Sequence, residues 1–114
     1  MSNSTTEVVL VTYPDKFRSA EAKSLVESTA LTKTTMQAYQ IIKIFTQKYL
    51  NHSKYGIGSG KAEEIKEFVR ESKSDKIIVD EHLTSKQIHN LEKLTAVTVI
   101  DRERLILDIF NSRA

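Results

Sequence analysis

The chain contains no cysteine and no tryptophan, and has one proline and three glycines in 114 residues. The lack of cysteine excludes a disulfide framework and a thiolate metal site, and fits a cytoplasmic protein. No apolar run approaches the roughly 20 residues that a membrane-spanning helix requires. The N-terminus also lacks the charged-then-apolar layout of a secretory signal. A net charge of +2 is too small to imply a nucleic-acid partner from bulk charge. The length allows one domain with one core, and the apolar and charged fractions are those of an ordinary soluble domain. The polar stretch Met1–Thr6 reads as a flexible tail, leaving residues 7–114 as the domain.

One absence is local. Between Ser28 and Ala62 there is no aspartate or glutamate, while Lys33, Lys43, Lys48, Lys54 and Lys61 all fall within that interval. A positive segment in a nearly neutral chain biases one face toward anions. It reads either as a solvated lysine surface or as a face for phosphate backbone, most plausibly that of RNA. Tyr39, Tyr49 and Tyr55 lie in the same interval, as packing residues or as platforms on which bases stack.

Apolar patterning divides the chain into alternating strands and helices. The β-branched run Glu7–Thr12 has the pattern of a strand buried on both faces. Pro14 ends it and Asp15 caps a following helix, which runs to about Thr29 with a diffuse apolar face. Residues 32–40 are ambiguous, and the next strand is Gln40–Phe45. A polar loop and the three glycines lead into a helix carrying Ala62, Ile65, Phe68 and Val69 on one face, with Glu63 and Glu64 in its first turn near the positive dipole end. Lys76–Asp80 is a third strand. Thr84 with Gln87 forms a capping box and Leu83 with Ile88 a hydrophobic staple, followed by the stripe Ile88, Leu91 and Leu94. Ala96–Ile100 is a fourth strand, and Asp101 caps a last helix with Ile100 and Leu105 as a second staple. That helix is apolar around much of its circumference through Leu105, Ile106, Leu107, Ile109 and Phe110, and no glycine or asparagine closes it. It therefore reads as truncated, or as a face that meets a partner.

This alternation predicts an α/β fold: a four-stranded, mainly parallel sheet with helices on both faces. Ligands of such sheets sit beyond the carboxyl ends of the strands. Tyr13, Asp15, the Lys48–Lys61 loop, Asp80, Glu81, His82, Asp101 and Arg102 would gather there.

Gly56-Ile57-Gly58-Ser59-Gly60-Lys61 suggests a phosphate-binding loop, but its spacing fails. A P-loop needs a glycine five residues before Gly60, where Tyr55 stands, and a magnesium-binding hydroxyl after Lys61, where Ala62 stands. A dinucleotide fingerprint fails as well, because the third glycine comes one residue early. Glu63 and Glu64 would repel a bound anion. The glycines read instead as a tight turn of positive φ that launches the helix, leaving Gly58, Ser59, Gly60 and Lys61 as candidate contacts for an RNA phosphate. His52, His82 and His89 have no metal-ligand spacing. Asp80-Glu81-His82 lacks a nucleophile, and Tyr13-Pro14 stands where a receiver-type phosphoacceptor would carry an acidic pair. No catalytic residue and no metal site emerges.

Three ordered segments carry a family resemblance: Tyr55–Ile65 with its Gly-x-Gly-Lys-x-x-Glu-Ile pattern, Leu83–Glu92 with Leu-Thr-x-x-Gln-x-x-Asn-Leu-Glu, and Val99-Ile100-Asp101-Arg102 with Leu105–Phe110. Together they resemble the N-terminal domain of the HflX family of ribosome-associated GTPases. Residues 1–54 match that family only in general layout. The resemblance implies that a helical pair and a G domain follow this region, and that GTP and magnesium bind there, so this stretch itself is no enzyme and holds no cofactor. It further implies a domain that binds the large ribosomal subunit and its RNA and packs on its own G domain to modulate the nucleotide cycle. On that view Lys43, Lys48, Lys54 and the Gly58–Lys61 turn would face RNA. Arg102, Leu105, Ile106, Ile109 and Phe110 would face the rest of the protein. The alternative is a small nucleotide-binding module with weak activity of its own.

Overall fold

Successive side chains of a strand point to opposite faces, and in β1 (Thr5–Thr12) both faces are apolar. Val8 and Leu10 lie in one core, Val9 and Val11 in the other, and all four are fully buried. Burial of side chains of this size contributes about 1.5–3 kcal/mol each, which places β1 at the centre of the fold. The computed structural model describes residues 5–28 and 38–111. Its remaining elements are α1 (Lys16–Glu27), β2 (Ala38–Thr46), α2 (Ser59–Ser72), β3 (Lys76–Val79), α3 (Ser85–Thr95), β4 (Thr98–Asp101) and α4 (Arg102–Asn111).

The strands form one parallel sheet in the order β2-β1-β3-β4. One face carries α1 and α4, whose Ala22, Val26, Leu105 and Ile109 pack on Val8, Leu10, Ile78 and Ile100. The other carries α2 and α3, whose Ala62, Ile65, Val69 and Leu91 pack on Val9, Val11, Ile77, Val79 and Val99. This is the expected four-stranded α/β sheet covered on both faces.

The edge strand β2 changes faces along its length. Its register against β1 shifts between Val8 and Val9, which pair with Ile41 and Lys43 and leave Ile42 as the extra residue. Before this bulge Tyr39 and Ile41 pack in the α1/α4 core, and after it Phe45 packs in the α2/α3 core. A one-residue insertion reverses which side chains point inward, so one strand serves both layers.

Local signals account for most helix starts. The Asp15 carboxylate accepts from the Phe17 amide at 3.0 Å. Thr84 and Gln87 form the predicted reciprocal box, with bonds of 3.1 and 2.8 Å. Several boundaries move from their sequence positions. Thr5 and Thr6 belong to β1 rather than to a tail; residues 1–4 lie outside the described set, as do Lys33 and residues 112–114. The second helix begins at Ser59, so its first turn has no acidic residue and Glu63 and Glu64 fall in the next. Ala96 is not strand: it closes α3 with φ 64°, as Lys73 closes α2 with φ 57°. Both adopt the left-handed cap conformation that glycine usually supplies, so neither end was marked in the sequence.

Candidate functional site

The chain leaves β1 through α1 on one face and β3 through α3 on the other, so a crevice opens between the carboxyl ends of these neighbouring strands. Asp80 lies at its base with its side chain 1% exposed. Thr12 Oγ1 donates to Asp80 Oδ2 at 2.7 Å and Arg102 Nη1 donates to Oδ1 at 2.8 Å. Arg18 Nε lies 3.2 Å from Oδ2, and its Nη2 donates to the Asp80 carbonyl at 3.0 Å. Outside this core, Arg102 Nη2 meets Glu21 at 3.3 Å and Arg18 Nη2 meets Glu81 at 3.5 Å. The Arg18 guanidinium also sits 4.7 Å from the Tyr13 ring centre, and the Tyr13 hydroxyl donates to the Glu81 carboxylate.

Four elements thus meet on one buried carboxylate. Burial, followed by the hydrogen bond to Glu81, pushes the Tyr13 hydroxyl up to about 12, so it stays protonated at neutral pH. Burial alone would lower the pKa of the Arg102 guanidinium, but the hydrogen bond and charge of Asp80, with those of Glu21, outweigh it and raise it. The Arg102 guanidinium therefore keeps its charge, and both arginines are matched by carboxylates. A general acid or base must exchange a proton near neutral pH, and neither Tyr13 nor Arg102 does so. The crevice is a clasp joining α1, β1, β3 and α4.

Of the residues expected at the carboxyl end, Tyr13, Asp80, Glu81 and Arg102 converge here, whereas Asp15 is used as a helix cap. Thr12, Arg18 and Glu21 complete the clasp and were not singled out by sequence. Their partners lie far along the chain, and Arg18 sits on a helix whose apolar face is diffuse. His82 stands apart, with Nδ1 3.2 Å from Glu103 and 3.6 Å from Asp101. Asp101 is engaged as the cap of α4, accepting the amides of Leu83 at 2.9 Å and Arg104 at 3.0 Å. This group reads as a set of polar contacts at the N-terminus of α4, whose positive dipole end favours the two carboxylates.

The glycine turn divides its work unequally. Gly56 alone has positive φ, 78°, and a Cβ there would lie 2.4 Å from Leu83 Cδ2. Gly58 is the N-cap of α2, with its amide donating to Gln47 Oε1 at 2.9 Å. Gly60 lies within the helix, and a Cβ there would meet no atom within 4 Å. Positive φ therefore explains one glycine and not three. Lys61 leans back on Glu64 at 3.2 Å.

Within the acid-free segment, residues 38–46 form the edge strand β2 and residues 47–58 the loop that leads into α2. Lys43, Lys48 and Lys54 are exposed. The Lys43 ammonium sits 5.6 Å from the Phe45 ring centre and 5.9 Å from that of Phe68, with Lys61 also 5.9 Å from Phe45. Lys54 lies 5.3 Å from the Tyr55 ring. The tyrosines separate. Tyr39 is buried and accepts from Lys76 Nζ at 2.9 Å, and Tyr55 is buried in the α2/α3 core, but Tyr49 is 61% exposed.

On α4, Leu105 and Ile109 are buried in the domain's own core and Arg102 is held by Asp80, so none of the three presents its side chain outward. Ile106 is half-buried. The apolar groups that do face outward are Phe110 and, one turn earlier, Leu107, which had not been singled out as a contact.

These features define a small parallel α/β domain with a charge-compensated carboxyl-end crevice and a basic edge. The profile of the GTP-binding GTPase N-terminal family matches residues 22–111, and the chain belongs to that family. The match reaches back into α1, beyond the residues 55–110 on which the motif resemblance rests. The chain is 43% identical over 76 residues to the GTPase HflX of Thermococcus kodakarensis, covering 67% of this chain and 17% of that protein. It is 40% identical over 94 residues to the GTPase HflX of Escherichia coli, covering 82% and 20%. It therefore spans about a fifth of the length of these curated relatives. Among solved structures, that of SsGBP in complex with GDP superposes with a TM-score of 0.72 at 24% identity, covering 97% of this chain and 30% of that one. A GTP-binding protein from Sulfolobus solfataricus in complex with GDP gives 0.68, at 24% identity. Likeness at that identity establishes the shared fold.

Proposed function

We propose that this domain is the RNA-facing and regulatory N-terminal module of an HflX-like GTPase, with GTP and magnesium bound by a G domain elsewhere in the full-length protein. The observation that carries the reading is the exposed lysine series, Lys43 on the edge strand β2, Lys48 just beyond its end and Lys54 in the loop that follows, in a segment without a single carboxylate. Neutralising phosphates with such groups releases counterions, and this drives salt-dependent RNA binding. The partner in this reading is the large ribosomal subunit through its RNA. The outer face of α4, with Ile106, Leu107 and Phe110, meets the domain's own helical pair or G domain and passes the state of one to the other.

The test is association with large-subunit particles. The combined variant Lys43→Glu, Lys48→Glu and Lys54→Glu should bind at least about tenfold more weakly at low salt, with a flatter dependence on salt concentration. Unchanged binding and slope would remove this edge from the interface. Nucleotide binding by the domain itself ranks second, because Lys61 is already paired with Glu64. Calorimetric titration with ATP or GTP should show no saturable binding; saturable binding that disappears in Lys61→Ala would reverse the ranking.

A further inference from the structure

We propose that Tyr49 is a base-stacking platform, and that the ligand of the lysine edge is single-stranded RNA whose phosphates pass Lys48 and Lys54. This rests on the RNA-binding reading above and adds the kind of RNA and the residue that selects it. Of the three tyrosines in the acid-free segment, two are engaged. Tyr39 bonds Lys76 within the α1/α4 core, and Tyr55 is packed in the α2/α3 core. Phe45 is likewise buried, beneath Lys43 and Lys61. Tyr49 is 61% exposed, and among the described residues neither its ring nor its hydroxyl has a partner. Lys48, beside it in the chain, likewise has no partner among the described residues.

The platform is held in place. Tyr49 sits between Gln47, whose amide donates to the Thr12 carbonyl at 3.0 Å and whose side chain accepts from Gly58, and Leu50, which is 1% exposed in the core. The loop that follows is pinned to α3 by Gln87 Nε2 donating to the His52 carbonyl at 2.8 Å and Asn90 Nδ2 donating to the Lys54 carbonyl at 3.0 Å. Paired amide bonds between His52 and Gly56 close it. An aromatic ring on an anchored loop loses little conformational freedom on binding. Among the described residues β2 has a neighbouring strand on one side only, and the strip beyond it is where an extended chain would lie. The first two acids of α2 are paired, Glu64 with Lys61 and Glu63 with Lys66 at 4.0 Å. Exposed aromatics set among lysines favour unpaired bases over duplex, because a duplex hides the faces of its bases.

Fluorescence anisotropy of the chain with a labelled uridine oligonucleotide, and with a duplex RNA of equal length, tests the proposal at low and high salt. Tyr49→Ala should weaken binding to the single strand by about tenfold or more and leave the salt slope unchanged, since no phosphate contact is lost. Tyr49→Phe should retain binding within about twofold, because the ring and not the hydroxyl stacks. Lys48→Ala and Lys54→Ala should each reduce the slope. Equal affinity of Tyr49→Ala and the parent chain, a Tyr49→Phe variant as weak as Tyr49→Ala, or no affinity for the single strand would each overturn the proposal. Parallel sedimentation with large-subunit particles separates the two readings. Particle binding with no affinity for free RNA sinks the stacking platform and keeps the ribosomal reading. Tyr49-dependent binding of the oligonucleotide without particle binding does the reverse.

Discussion

Asp80 and Lys48 both lie just beyond strand ends on the carboxyl side of the sheet, yet their surroundings differ completely. Asp80 follows an interior strand flanked by β1 and β4, with helices on both faces, and Thr12, Arg18 and Arg102 enclose its carboxylate. Lys48 follows the edge strand and has no partner among the described residues. A buried charge must be paired because water cannot reach it. A charge at an open edge is left to solvent or to whatever binds there. The carboxylate at the interior end of the sheet is therefore satisfied within the fold, whereas the lysine beyond the edge strand is not.

The comparison makes predictions of graded size. Asp80→Asn leaves Arg18 and Arg102 without their shared counter-charge. It should cost about 3 kcal/mol, the low end for a broken buried pair, because both guanidiniums keep some contact with water. Urea denaturation measures this, and a loss under about 1 kcal/mol would mean that the clasp is incidental to the fold. Gly56→Ala should cost about 1–3 kcal/mol through its positive φ and the approach to Leu83, whereas Gly60→Ala at an open helical position should be neutral or stabilising. Ala96→Gly relieves a left-handed cap and should raise stability by about 0.5–1 kcal/mol; thermal unfolding of the three variants against the parent shows whether the signs are right. The lysine reversals at 43, 48 and 54 should each change stability by no more than about 0.5 kcal/mol, so that any loss of RNA binding is not a loss of fold.

The last effect concerns pH. Tyr13 titrates near 12 in the folded chain and near 10 when unfolded, so folding holds its proton more tightly. Its contribution is complete below pH 10 and is lost as pH rises toward and through 12. Tyr13→Phe should flatten the alkaline decline in stability over that window. An identical decline in both proteins would show that Glu81 does not hold the hydroxyl.

Much of the fold was legible because its signals are local. The double-faced run of β1, the Asp15 cap and the Thr84–Gln87 box depend on residues a few positions apart, and each appears where the pattern places it. The helix ends at Lys73 and Ala96 were not legible, since left-handed caps made by residues other than glycine leave no mark in composition. The bulge at Ile42 was hidden as well, because it arises from the need of one strand to serve two layers. At the candidate sites the lysine series could be read directly, but its three tyrosines looked alike. Only packing separated Tyr49 from Tyr39 and Tyr55, and only packing moved Leu105 and Ile109 from a presumed outer face into the core.

The sequence by itself determined the parallel α/β class, the family through its ordered motifs, and the departure of Gly56–Lys61 from P-loop spacing. All of these rest on residue identities at short separations. The tertiary structure alone decided that Thr12, Arg18, Glu21, Asp80 and Arg102 form one clasp, and that a single tyrosine remains free beside the lysines. Arg18 and Asp80 are 62 residues apart in the chain, and their meeting depends on β1 and β3 lying side by side. Exposure likewise depends on which elements cover a side chain, and no spacing along the chain records that.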